Sequence, residues 1–242
     1  MSANSTLMRV CDAALFDLDG VLTPTAEVHM RAWSRMFNDF LPTRGDRRPY
    51  TDADYFAFVD GKPRYDGVRD LLASRGIDLP PGEATDPPEA DTVCGLGNRK
   101  NEAFAAVLAS EGVRPYPGSV QLLDYLAGHG VAVAVVSSSA NARDVLAAAG
   151  LRDRFEVVVD GLLARAESIA GKPAPDTYLR AAGALGVPRE RAVVFEDAIS
   201  GVQAGRAGGF GLVVGVERGV GQHSLLAEGA DLVVADLAEL LP

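Results

Sequence analysis

Short runs of aliphatic and β-branched residues recur along the chain, most of them ending on acidic or hydroxyl side chains. The segment AALFDLDG from Ala13 reads as a buried strand that runs into two carboxylates and a glycine. VAVAVV (131–136) runs into Ser137, Ser138 and Ser139, while FEVVVD (155–160) and AVVF (192–195) each run into acid. GLVVGV (211–216) and DLVV (231–234) complete the set. Amphipathic stretches alternate with these runs at 119–127, 140–149, 175–185, 199–207 and 224–228, and Gly150 is placed as a C′ residue after one of them. Strands that alternate with helices of this length predict an α/β fold with a mainly parallel sheet covered on both faces. In such sheets functional groups gather at the carboxyl ends of the strands.

Between Thr25 and Gly112 the strand-like runs vanish and helical patterns take over, at 26–40, 53–59, 65–74 and 100–110. The stretch 79–92, rich in Pro, Gly, Asp and Glu, reads as an irregular loop. The expected organisation is therefore a core of residues 1–24 and 113–242, with an inserted helical cap of residues 25–112. The crossings near 23–25 and 112–117 are placed to act as a two-strand hinge.

Composition narrows the function classes. The 242 residues are 48% hydrophobic and 23% charged, an ordinary globular balance able to bury a core without staples. No apolar run approaches the roughly 20 residues of a membrane-spanning helix, and residues 1–10 lack a secretory pattern. Cys11 and Cys94 have no metal or redox spacing and read as buried apolar groups, so a cytoplasmic location is expected. A net charge of −10 disfavours nucleic acid and anionic membranes as partners. An anionic small molecule would have to be held by local cations or a bound metal.

Asp17 and Asp19 alone could be a polar strand terminus or a capping pair. A second acidic pair, Glu196 and Asp197, at another strand end changes this, as do Ser137 after a third strand and Lys172 in the loop GKPAPD. Carboxylates brought about 4 Å apart repel by about 4 kcal/mol per pair at an effective dielectric near 20. A divalent cation removes that conflict, and an all-oxygen donor set with phosphate suits Mg²⁺. Lys172 then supplies positive charge to a phosphoryl group and Ser137 a hydroxyl donor. Aspartate is already ionised at neutral pH, so Asp17 is assigned as a nucleophile that needs no activating base. Asp19 is assigned as the acid/base, with a pKa raised by the neighbouring charges.

The motifs FDLDGVLT (16–23), VVSSS (135–139), GKPAPD (171–176) and FEDAISGVQAG (195–205) resemble, in order, the four motifs of the haloacid dehalogenase superfamily of phosphotransferases. The resemblance implies a Rossmann-like core, an aspartyl-phosphate intermediate and Mg²⁺. It makes Asp17 nucleophile and metal ligand, and gives Asp19 a main-chain carbonyl on the metal. It places Ser137 and Lys172 on the phosphate, and completes the metal site with Glu196 and Asp197.

The insert is similar to the helical cap of the β-phosphoglucomutase-like group. TAEVHMRAW (25–33) is similar to its first cap helix and DGKPR (60–64) to its phosphate loop, while NRKN (98–101) places Lys100 where the group has a substrate-contacting lysine. The implied substrate-binding positions in or near the cap are Thr25, His29, Trp33, Gly61, Arg64 and Lys100. In the core they are Ser138, Ser139 and Asn141. Pro24, Asp60 and Ala140 depart from the group's pattern, and 162–170 is longer than usual. Trp33 can equally be core packing, Arg64 and Lys100 solvated charges, and His29 a buried hydrogen-bonded histidine.

A mutase has to keep an acyl phosphate from water while a sugar phosphate rebinds, which calls for a grip on a second phosphate. Arg64 suits that grip. The expected activity is interconversion of β-glucose 1-phosphate and glucose 6-phosphate, with a small phosphorylated sugar as partner. The alternatives are a sugar-phosphate phosphatase and an inactive binding or regulatory module.

Overall fold

The computed structural model describes residues 3–242. In chain order its elements are α1 (Ala3–Val10), β1 (Ala13–Phe16), α2 (Thr25–Phe40), α3 (Asp52–Asp54), α4 (Arg64–Ser74) and α5 (Val93–Glu111). There follow α6 (Pro117–Gly128), β2 (Ala132–Val136), α7 (Ala142–Ala148), β3 (Val157–Val159), α8 (Gly161–Ala166) and α9 (Asp176–Leu185). The chain ends with β4 (Ala192–Glu196), α10 (Ile199–Gly208), β5 (Leu212–Val216), α11 (Gln222–Ala227) and β6 (Leu232–Val234). Two compact units result, one made of residues up to Thr25 with Val113–Pro242, the other of Ala26–Gly112.

The first unit is built on a six-stranded sheet of order β3-β2-β1-β4-β5-β6 in which every pairing is parallel. The near-continuous apolar composition of the strands is what a sheet covered on both faces requires. Leu15, Val194 and Val213 are buried with Tyr178, Ala181 and Ala182 of α9 and Val202 and Ala204 of α10. Elsewhere in the core the Phe16 ring stacks on Phe195 at 4.5 Å and 9°. Phe16 is level with both Val135 and Phe195, so β1, β2 and β4 end together at one edge of the sheet. From β1 the chain crosses to β2 on one side and later returns to β4 on the other. That reversal of direction is where ligands bind in open parallel sheets.

The second unit packs Trp33, Phe37 and Phe40 of α2 against Leu71 and Leu72 of α4 and Leu96 of α5. Its last helix starts at Val93, two turns before the expected residue 100, because Thr92 caps it: the Thr92 hydroxyl accepts from the Gly95 amide at 2.9 Å. Residues 53–59, expected as one helix, form the short α3 followed by a π-helical turn over Tyr55–Val59. The stretch 79–92 contains no helix or strand and is held through its carbonyls. Asn98 donates to those of Ala84 and Asp86, and Arg99 to that of Pro88. In the first unit α8 fills part of the long segment after β3, capped by Asp160, whose carboxylate accepts from the Leu162 and Leu163 amides at 3.0 and 2.8 Å. Among the described residues no helix is long and apolar enough to cross a membrane.

Both cysteines are free thiols and buried. Burial, with a smaller contribution from Asp12, pushes the Cys11 thiol up to about 12. Its reactive thiolate is therefore scarce in the native protein. Iodoacetamide at about pH 8 is expected to leave Cys11 unmodified in the native protein and to alkylate it fully after denaturation, as read by peptide mass spectrometry. Native labelling at the denatured rate would contradict that burial.

Candidate active site

β1 ends at Phe16, and the next residue, Asp17, still donates its amide to the Phe195 carbonyl at 2.9 Å. Its carboxylate is thus carried on the last rung of the ladder. Lys172, in the turn before α9, sends its ammonium between Asp17 Oδ1 and Glu196 Oε1 and donates to the Val136 carbonyl at 3.2 Å. All three side chains are buried. The Pro-rich turn that carries Lys172 is compact: Ala174 donates to the Gly171 carbonyl at 3.0 Å, and Pro175 already has helical φ and ψ as the N-cap of α9.

Glu196, expected among the metal ligands, has both carboxylate oxygens committed to protein donors. Oε1 takes Lys172 and the Tyr178 hydroxyl at 3.0 Å, and Oε2 takes the Ala198 amide at 3.1 Å. Its place is beside the lysine. A Cβ on Gly201 would overlap this carboxylate, so the absent side chain makes the room that Glu196 occupies. Tyr178, which the sequence reading did not single out, also lies beneath Lys172, with the ammonium 5.0 Å from its ring centroid. The one available signal was its place on the first turn of the helix after the lysine loop, because a buried tyrosine must find a partner for its hydroxyl.

Asp19 lies in a turn, not on a continued strand, and faces other partners: its carboxylate accepts from the Thr25 hydroxyl. The hydroxyls of Thr23 and Thr25 are 2.8 Å apart, and Thr23 donates to the Leu18 carbonyl at 3.3 Å. Gly20 makes the turn with φ +86, and a Cβ there would overlap the Asp197 carboxylate. The four carboxylates and Lys172 therefore gather at the ends of β1 and β4. Ser137, buried at the end of β2, accepts from the Ser139 amide at 3.1 Å, and Ser139 Oγ accepts from the Asn141 amide at 3.1 Å. Ser138 and Asn141 are half-buried in this serine turn.

Burial pushes the Asp17 carboxyl well above its ordinary range; Lys172 opposes this, while Glu196 and Asp19 reinforce it. For Lys172 burial acts downward, but Asp17 and Glu196 outweigh it and the net displacement is upward. Tyr178 is also pushed up, by burial first and then by Glu196 and Asp17, so its phenol stays protonated as a donor. One ammonium among four carboxylates leaves an anionic excess. Among the described residues no three His, Cys, Asp or Glu side chains form a ready metal cluster. With Glu196 engaged elsewhere, Asp17 and Asp197 remain, together with the Asp19 main chain. Two carboxylates are what Mg²⁺ ordinarily takes, with water filling other positions, so this all-oxygen donor set fits it.

In the helical unit the predicted residues fall into two groups. Lys100 is buried, contacts His29 Nδ1, and lies 4.9 and 5.0 Å from the ring centroids of Trp33 and Phe104. His29 stacks on Phe104 at 4.0 Å. Lys100 is thus no solvated charge. Trp33, expected as a substrate-binding position or as core packing, is 4% exposed and packed on Phe37. In the other group Arg64 donates to Asn98 Oδ1 at 3.2 Å and its guanidinium lies 5.4 Å from the Tyr65 ring centroid. Gly61, with φ +68, sits in the turn just before it.

The family of haloacid dehalogenase-like hydrolases matches residues 11–209. The chain is 53% identical over 240 residues to a β-phosphoglucomutase of Mycobacterium bovis, covering 95% of this chain and 91% of that protein. It is 32% identical over 204 residues to a fructose-1-phosphate phosphatase of Escherichia coli, covering 82% and 93%. Among solved structures, CbbY from Rhodobacter sphaeroides in complex with phosphate superposes with a TM-score of 0.74 at 26% identity, covering 96% of each chain.

Lys172→Met leaves two buried carboxylates without their ammonium and is expected to cost about 3–5 kcal/mol near neutral pH. Because its pKa is raised, Lys172 contributes fully at any pH below the ordinary lysine value. Any pH dependence of the deficit therefore comes from the carboxylate side, and the deficit should shrink on going from neutral to acid pH as the Asp17 carboxyl, pushed up by burial, takes a proton. Urea unfolding of both proteins at neutral and at acid pH checks this; equal stability near pH 7 would contradict it.

Proposed function

Because the chain belongs to the haloacid dehalogenase superfamily and, within it, to the β-phosphoglucomutase-like group, we propose that it interconverts β-glucose 1-phosphate and glucose 6-phosphate through a phosphorylated Asp17. The observation that carries this reading is a pair of aspartates two residues apart with separate partners. Asp17 is held by Lys172, and Asp19 by the hydroxyl of Thr25. In this reading one carboxylate is the nucleophile and the other the proton carrier. The 53% identity to a β-phosphoglucomutase across nearly the whole chain supports the sugar phosphate as substrate.

In this mechanism an Asp17 oxygen attacks phosphorus, the P–O bond to the sugar breaks, and the departing oxygen takes the proton of the Asp19 carboxyl. Lys172, already against Asp17, stabilises charge on the phosphoryl oxygens, and Ser137 donates its hydroxyl to one of them. In the return step a sugar hydroxyl gives its proton to Asp19 and attacks the acyl phosphate, which frees Asp17. Mg²⁺ held by Asp17, Asp197 and the Asp19 carbonyl would neutralise charge on the transferring group. Glu196 acts through Lys172, holding the ammonium together with Asp17. Arg64 grips the phosphate that is not transferred. A hydrolase of the same family replaces the sugar hydroxyl with water, and the similarity to a fructose-1-phosphate phosphatase keeps that as the competing outcome.

Phosphorus NMR of the protein with Mg²⁺, β-glucose 1-phosphate and a trace of the 1,6-bisphosphate is expected to show glucose 6-phosphate growing in. Free phosphate in its place would make the enzyme a phosphatase. Asp17→Asn should reduce either turnover to below about a thousandth of the wild-type rate. Arg64→Ala is expected to slow isomerisation about tenfold to a hundredfold more than hydrolysis of a simple phosphate monoester, the worth of one charged bidentate contact. Equal losses in the two assays would remove the second-phosphate role.

A further inference from the structure

The turn that carries Asp19 is held carbonyl by carbonyl. The Thr23 carbonyl accepts from the Gly20 amide at 2.7 Å, that of Leu22 from the Tyr116 amide at 3.0 Å, and that of Val21 from the Ser119 hydroxyl at 2.7 Å. The Gly20 carbonyl accepts from Arg218 Nε at 2.8 Å. Arg218 lies just after β5, nearly two hundred residues away in sequence and outside all four motifs. Its guanidinium also donates to the carbonyls of Ala235 at 2.6 Å and Glu217 at 3.2 Å, and lies 4.3 Å from the Tyr116 ring centroid.

We propose that Arg218 is a positioning residue for the reaction, clamping the Gly20 peptide so that the Asp19 carboxylate keeps its orientation. Gly20 is the weak point of the turn. With φ +86 and no side chain, only its hydrogen bonds hold its carbonyl in one orientation. The Gly20 carbonyl lies in the Gly20–Val21 peptide, one residue beyond Asp19, so releasing it loosens the turn that fixes the acid/base relative to Asp17, and a misplacement of about 1 Å costs about a hundredfold in rate. The guanidinium suits the task because its planar fork reaches Gly20 and Ala235 together while one face rests on the Tyr116 ring. An ammonium at this place has the charge without the fork.

The role in catalysis rests on the phosphoryl-transfer reading; the clamp itself does not. Arg218→Ala is compared with wild type by hydrogen exchange of the segment 17–25, with β2 as reference, and by steady-state hydrolysis of p-nitrophenyl phosphate with Mg²⁺. Expected are exchange at residues 20–23 accelerated about tenfold with β2 unchanged, and kcat lowered about tenfold to a hundredfold at nearly constant KM. Added guanidinium ion should recover part of kcat, which a purely structural loss would not allow. Unchanged exchange overturns the clamp; faster exchange with wild-type kcat overturns its role in the reaction. If Arg218→Ala does not fold, Arg218→Lys is read by the same criteria. A wild-type protein inert toward phosphate esters would instead remove the phosphoryl-transfer reading, while the exchange comparison still decides the clamp.

Discussion

A buried ammonium between two carboxylates is the constraint from which the site follows. Moving such an ion out of water costs several kcal/mol, and only close partners of opposite charge offset it. Lys172 has Asp17 and Glu196, a carbonyl from β2 and the face of Tyr178 around it. Each partner comes from a different element, so the ion requires β1, β2, β4 and α9 to meet at one point. The parallel register satisfies this because the strands end level. Glu196 consequently sets the lysine, accepting from it and from the Tyr178 hydroxyl and the Ala198 amide.

The two aspartates of DLD are separated by a different device. Asp17 belongs to the sheet and inherits its rigidity, while Asp19 belongs to a turn held through the carbonyls of Gly20, Val21, Leu22 and Thr23. A strand continued through Asp19 would have turned both carboxylates to one face. Ending the strand at Phe16 gives them different neighbours, an ammonium for one and a hydroxyl for the other. Difference in environment is what lets chemically identical side chains take up different proton affinities.

The helical unit buries a cation by other means. Lys100 is enclosed by the imidazole of His29 and the rings of Trp33 and Phe104. Arg64, by contrast, is only half-buried and is oriented through Asn98 and Tyr65.

Periodicity alone located the six strands of the sheet and the acidic strand ends, because a sheet covered on both faces demands apolar runs of the length seen and function accumulates where they stop. The residues with their own chemistry, Asp17, Asp19 and Lys172, were legible for the same reason. Tertiary structure decided what depends on a distant partner. The glycines of VCGLGNR weakened the helical signal before Lys100, yet they are required there because a Cβ on Gly97 would press on the Tyr65 ring, a contact invisible in local pattern. Trp33 looked the same as platform or packing until its neighbours were known. That Glu196 also sets Lys172 was visible only once Lys172, Tyr178 and Ala198 were seen around its oxygens, and Arg218 carries no sequence signal for a carbonyl so far along the chain. Local pattern encodes which side chains are buried and where strands end; which buried polar atoms pair is determined by three-dimensional proximity.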